Sequence, residues 1–134
     1  MSLLIPPEIA AINDVIKAAR DSARAWSWAA DMEGVSDAAD MRAKSKARTT
    51  LAEQLCDQVR DLDAQPPAEN TQGEIEVIET LWSNLRASLS GDPDSAAQEL
   101  CKSAEDRLSA AIDAALAEEA LPPAAASTIN QFTR

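Results

Sequence analysis

The chain has 134 residues, with 23 acidic against 12 basic side chains, no histidine, two cysteines, three glycines and seven prolines. Without histidine there is no imidazole for a phosphorelay, for a Ser-His-Asp or Cys-His pair, or for a zinc or iron site that depends on one. A formal charge of -11 and a pI near 4.3 set the chain against phosphate backbones and anionic membranes, because nucleic-acid affinity rests on cations that release condensed counterions.

This length suits one domain over residues 1–134, with a single core. Hydrophobic residues make up 46% of the chain but are mostly alanine, with one phenylalanine, no tyrosine and three tryptophans. So few β-branched and aromatic residues argue against sheets and for an all-helical fold. Cys56 and Cys101 are too far apart for a metal knuckle and too few for a disulfide framework. The opening MSLLIPPEIA lacks a basic region and meets proline after three apolar residues, so a reducing, cytoplasmic protein is expected. No apolar run reaches the roughly 18 residues of a membrane span.

The first helix is predicted to open at Pro6-Pro7-Glu8, where proline fits a first turn and a carboxylate complements the helix dipole. Ile9, Ile12, Ile16, Ala19, Ala23, Trp26 and Ala30 follow at steps of three and four and share one stripe, ending near Glu33-Gly34. Ser36-Asp37 is the next N-cap candidate. Met41, Ser45, Arg48, Ala52, Leu55, Val59 and Leu62 then carry a second stripe to the break at Gln65-Pro66-Pro67. After a loop to Gly73, Ile75, Ile78, Trp82, Leu85 and Leu89 form a short amphipathic helix, with Trp82 and Leu85 as its anchors over the end of the bundle. A further helix is expected from Asp92-Pro93-Asp94 to about Ala120, with Ala97, Leu100 or Cys101, Ala104, Leu108, Ala111 and Ala115 inside. Leu121-Pro122-Pro123 stops it, and a last helix of about three turns from Ala124 carries Ile129 and Phe132.

Individual side chains admit more than one reading. Arg48 is either an anion contact inside the bundle or a snorkelling stem paired with a carboxylate such as Glu105, and the second is favoured. Arg42, Lys44, Lys46 and Arg48 read as a docking patch or, better, as a solvated helix face, since they point in different directions beside Asp37 and Asp40. Cys56 and Cys101 read as small buried hydrophobes rather than redox centres, because a reactive thiolate needs positive charge and Asp57 follows Cys56. Glu105 and Asp106 diverge by about 100° on a helix and do not converge on one proton or ion. Trp26 and Trp28 lie about 200° apart, so with Trp26 inward Trp28 either packs under the crossover or anchors an interface.

Two long helices, a crossover with a short helix, a long helix and a last one make the order of a ferritin-like four-helix bundle with an extra crossover helix. The run INDVIKAARDSARAWSWAADM, with Asp21, Trp26 and Asp31, resembles a bacterial family of ferritin-like domains of unknown function, related to stress-associated ferritin-like bundles. Arg48 with TTLAEQL, Trp82 with Leu85, the phrase LSGDPD, Cys101, Glu105-Asp106 and Leu121-Pro122-Pro123 continue that resemblance to about Pro123. Such domains usually continue through a full last helix that often carries a histidine, and here the sequence stops first.

The resemblance raises the question of a metal. Ferritin-like enzymes take a glutamate from each of two helices and a Glu-x-x-His from each of the other two. This chain has no Glu-x-x-His, its first stripe holds no carboxylate and its second places Arg48 and Ser45 inward. Asp21, Asp31, Glu53, Glu99 and Glu105 only flank the stripes. The expectation is therefore a non-enzymatic bundle acting in protein association, with no cofactor, no metal, no nucleic acid and no membrane. Two rivals stay open: a degenerate di-iron or metal-binding protein, and a small acidic stress or export chaperone. Because a three-turn helix cannot cover helices of more than 24 residues, a homodimer is expected across an alanine and leucine groove, with Trp28, Ile129 and Phe132 as its anchors.

Overall fold

The computed structural model describes residues 5–32, 34–68 and 93–133. Among these residues it is all-helical, without strands: α1 is Pro7–Ala30, α2 Ala38–Asp61, α3 Pro93–Leu116 and α4 Pro123–Thr133. No described helix is long and apolar enough to cross a membrane. The expected helix around Ile75, Ile78, Trp82, Leu85 and Leu89 lies outside the described residues.

α1 starts as its sequence dictates, with Pro7 in the first turn and Glu8 beside the dipole. It stops at Ala30, short of the expected Glu33-Gly34. The Asp31 amide is shared between the Ser27 and Trp28 carbonyls at 3.2 Å each, Met32 bonds back to Ala29, and Gly34 turns the chain with φ 87°. Six of the seven expected stripe residues are buried, Trp26 being only partly so, and Asn13, Val15, Ser22, Ala25 and Ala29 are buried beside them. The face is wider than one stripe because α1 packs against both α2 and α3.

α2 runs antiparallel to α1: Ser45 Oγ donates to the Ala23 carbonyl at 2.7 Å, and Arg42 reaches Asp31 at 3.0 Å. Its N-cap is Asp37, yet that side chain makes no capping bond. Ser36 instead turns outward to α3, its amide and hydroxyl both donating to the Asp94 carboxylate at 3.1 Å. At the other end Leu62, expected on the inner stripe, is 46% exposed, because it is the C-cap, past the last full turn. The chain leaves through a Schellman motif: Asp63 at φ 59° bonds to the Arg60 carbonyl and Ala64 to that of Val59.

α3 returns alongside α1, antiparallel to it, with Ala111, Ala114 and Glu118 lining the same cleft as Pro7, Ala10 and Asp14. Its last helical residue is Leu116 rather than Ala120. Glu118 and Glu119 oppose the negative end of the helix dipole, and Pro122 and Pro123 force the approaching chain out of helix. α4 then doubles back along α2, Gln58 Nε2 donating to Thr128 Oγ1 at 2.7 Å.

Two cores result. Ile9, Ile12, Val15, Ile16, Leu51, Leu55, Val59, Leu108, Ile112 and Ile129 fill the half that includes α4. Ala25, Ala29, Ala30, Met41, Ala97, Leu100, Cys101 and Ala104 fill the other, where only α1, α2 and α3 meet among the described residues. Small side chains let these three helices approach one another closely there. α4, with 11 residues, extends about 16 Å along partners of 24 residues and about 36 Å.

Candidate functional site

Where α4 ends, four side chains from four helices meet. Trp26 of α1 donates its indole N–H to Glu105 Oε1 of α3 at 2.7 Å. Arg48 of α2 forms an ion pair with the same carboxylate. The Arg48 guanidinium lies 5.2 Å from the Phe132 ring centre and 5.8 Å from that of Trp26, while Lys44 Nζ sits 4.6 Å over Trp26. Arg48 also donates from Nη1 to the Lys44 carbonyl at 3.0 Å, and its Nε is buried without a partner. This is the snorkelling arrangement expected of Arg48, with a flat cation between two aromatic faces closing the seam between the two cores.

Beside this cluster, Leu51, Leu108 and Ile112 floor an open groove of about 840 Å³, rimmed by Lys46, Gln54 and Gln131. The floor residues are themselves buried. α4 and the Arg48–Glu105 pair border this groove.

Cys101 lies one turn before Glu105. Burial, with the Glu105 carboxylate adding to it and Lys44 and Arg48 opposing, pushes its thiol up to about 12. It is a buried hydrophobe, as its sequence context suggests. Cys56 is buried too, but it is not remote from positive charge: Arg20 Nη2 donates to its Sγ at 3.3 Å. Arg20 also donates to the carbonyls of Pro67 at 2.9 Å and Ala68 at 3.2 Å, which pins the chain after α2 against α1. Asp57 is only the neighbour along the chain, and the relevant charge comes from another helix 36 positions away.

The three residues expected as interface anchors are not brought to one surface. Trp28 is half-buried against the alanine core and lines the α1–α2 groove with Arg24 and Ser45. Phe132 is half-buried on the other side, against the larger core and under Arg48. Ile129 is 0% exposed and is used entirely within its own chain. The cations of α2 are largely spoken for: Arg42 pairs with Asp31 at 3.0 Å, Lys44 with Asp40 at 3.4 Å and Arg48 with Glu105.

The described residues do not assemble the ligand set of a di-iron centre. Among the described residues no three of histidine, cysteine, aspartate and glutamate come together as a metal would require. Of the five flanking carboxylates, Asp21 pairs with Arg24, Asp31 with Arg42 and Glu105 with Arg48, so these three face a guanidinium.

The exposed large apolar side chains lie elsewhere. Ile5 before α1, Leu62 after α2 and Leu116 at the end of α3 are 60%, 46% and 40% exposed. The antiparallel packing of α1 against α2 and α3 puts all three at the same end of the bundle, the end from which α4 departs. No protein-family model, curated protein or solved structure matches this chain.

Proposed function

We propose that this protein is a non-enzymatic helical bundle that works by protein association, and that its partner is a second copy of the same chain. We read the scaffold as ferritin-like, with an extra helix in the crossover and the metal chemistry lost. The observation that carries the association is the trio Ile5, Leu62 and Leu116, large apolar side chains exposed together at one end of the bundle. Large apolar side chains left exposed at one end of a bundle suit a contact, and a two-fold axis is the simplest way for one surface to cover itself. The non-catalytic part rests on chemistry: no histidine, a Cys101 thiol that stays protonated, and carboxylates held by arginines.

Size exclusion with light scattering at micromolar concentration tests the association. A dimer is expected, and Leu62→Glu with Leu116→Glu should return it to monomer. A strict monomer at low and moderate salt overturns the proposal. Growth with excess iron followed by elemental analysis tests the metal reading. Far less than one iron per chain is expected, and about two tightly held irons, the content of a ferritin-like centre, would overturn it.

A further inference from the structure

We propose that the outer groove between α1 and α2 is the seat of the chain's own connection to α3, and that the apolar stripe Ile75, Ile78, Trp82, Leu85 and Leu89 lies along it over Trp28. Self-association is not needed for this. Three observations on the described residues point to that seat, together with the charge of the groove.

The first is where the connection sets out. Arg20 of α1 holds the carbonyls of Pro67 and Ala68 at 2.9 and 3.2 Å, and Cys56 Sγ at 3.3 Å. Arg20 and Cys56 also line a groove of about 400 Å³ that includes Ala23, Thr49, Ala52 and Trp28. The chain after α2 is therefore delivered into the α1–α2 groove. The other side of α2 already receives α4.

The second is where the connection must arrive. α3 begins at Pro93, and Ser36, just before α2, holds the Asp94 carboxylate. Between Cys56 and Asp37 α2 rises about 28 Å, and residues 69–92 have to cover that distance. As the helix that their pattern predicts, residues 75–89 extend about 22 Å, which leaves short links at each end. A seat along the groove uses this length. A path across the end of the bundle leaves the climb to the few remaining residues.

The third is a change of exposure along α1. α2 and α3 meet α1 around Ala19 and Trp26, so Asp21 and Trp28, each two positions further on and about 200° round, lie on its outer side. There Asp14 and Lys17 are exposed, as a surface helix requires. Further along the same side, Asp21 and Arg24 keep only 24% and 16% side-chain exposure, and Trp28 is half-buried. The loss begins level with Arg20, where the connection sets out.

Charge agrees with this seat. In a chain of net charge -11, the groove brings Arg20, Arg24 and Arg60 against Glu53 and Asp57, and the stripe is preceded and interleaved by Glu74, Glu76 and Glu79.

The experiment uses the full chain with Cys56→Ala and Cys101→Ala, and a nitroxide on one introduced cysteine: Thr49→Cys in the groove, or Ser109→Cys on α3. Each nitrogen-15 chain is diluted into chain without isotope, so that only contacts within one molecule are read. The amide signals of residues 75–89 should be largely lost with the label at position 49 and kept with the label at position 109. Retention with the label at 49, or loss with the label at 109, overturns the proposal. Should the cysteine-free background fail to fold by circular dichroism, hydroxyl-radical footprinting of the parent chain against Trp82→Ser with Leu85→Ser replaces it. Oxidation of Trp28 should rise several-fold in the variant while that of Trp26 holds. Equal Trp28 oxidation in the two chains, or a rise no greater than that of Trp26, overturns the proposal.

Discussion

At the residue scale the decisive group is Arg48. Its cation is held by one carboxylate, two ring faces and a carbonyl, in a site from which water is largely excluded. Removing Glu105 alone leaves that charge without its counter-ion, and because both side chains keep some exposure the cost falls below that of a fully buried pair. Glu105→Ala should destabilise the fold by about 2 kcal/mol, whereas Arg48→Met with Glu105→Leu should recover most of it, since two apolar side chains need no mutual compensation. Denaturant unfolding of both variants checks this, and equal losses in the two would show that packing, not charge, holds the seam. Cys101 gives a prediction in pH. Its thiol is raised from an ordinary 9.0 to about 12, so the folded state keeps a proton that the unfolded state gives up. That contribution is complete below pH 9 and is lost as pH rises toward 12, at a slope of up to about 1.4 kcal/mol per pH unit. Cys101→Ala should flatten stability against pH between 8 and 10.5 relative to the parent. The pairing of Arg48 with Glu105 was legible in the sequence because an inward cation on an apolar stripe must find a carboxylate. The indole of Trp26 as the second donor to that carboxylate was not, because it depends on how α1 and α3 align.

At the scale of elements, starts were more legible than ends. Pro7 and Glu8 mark the start of α1, and the Asp92-Pro93-Asp94 run marks that of α3, since proline and acidic residues act locally in a first turn. Ends depend on where the chain must go next. α2 closes with Asp63 in the left-handed region, where a side chain is strained and glycine is the usual occupant. No glycine signalled this cap, so its position could not be read from composition. Asp63→Gly should therefore stabilise the protein by about 1 kcal/mol, through relief of that strain and loss of one acidic charge in an acidic chain. A lower denaturant midpoint for this variant would mean that the Asp63 side chain holds the turn. α1 shows the other limit of pattern reading. A stripe at steps of three and four identifies one buried face, yet Val15, Ser22, Ala25 and Ala29 are buried as well because two helices, not one, pack against α1. Only the tertiary arrangement supplies the second face.

For the whole molecule, the short α4 divides the bundle into a half with large side chains and a half built from alanine. Beside the Arg48–Glu105 pair an open groove remains, with Leu51, Leu108 and Ile112 at its floor and α4 along one side. Among the described residues, the exposed large apolar side chains lie at the end of the bundle. The charge around that end sets how two copies meet. Asp61, Asp63, Glu118 and Glu119 lie beside Leu62 and Leu116 in sequence, and the chain as a whole carries -11. Two such surfaces repel each other before their apolar side chains touch, and the repulsion acts through exposed charges that salt screens over about 10 Å at 0.1 M. Self-association should therefore tighten as salt rises, by roughly tenfold between 20 and 300 mM sodium chloride, the opposite of an interface held by ion pairs. Asp61→Asn with Glu119→Gln should mimic the effect at low salt. Sedimentation equilibrium across that range checks it, and a dissociation constant that rises with salt would show that the copies are joined by attraction between charges and not by the apolar end.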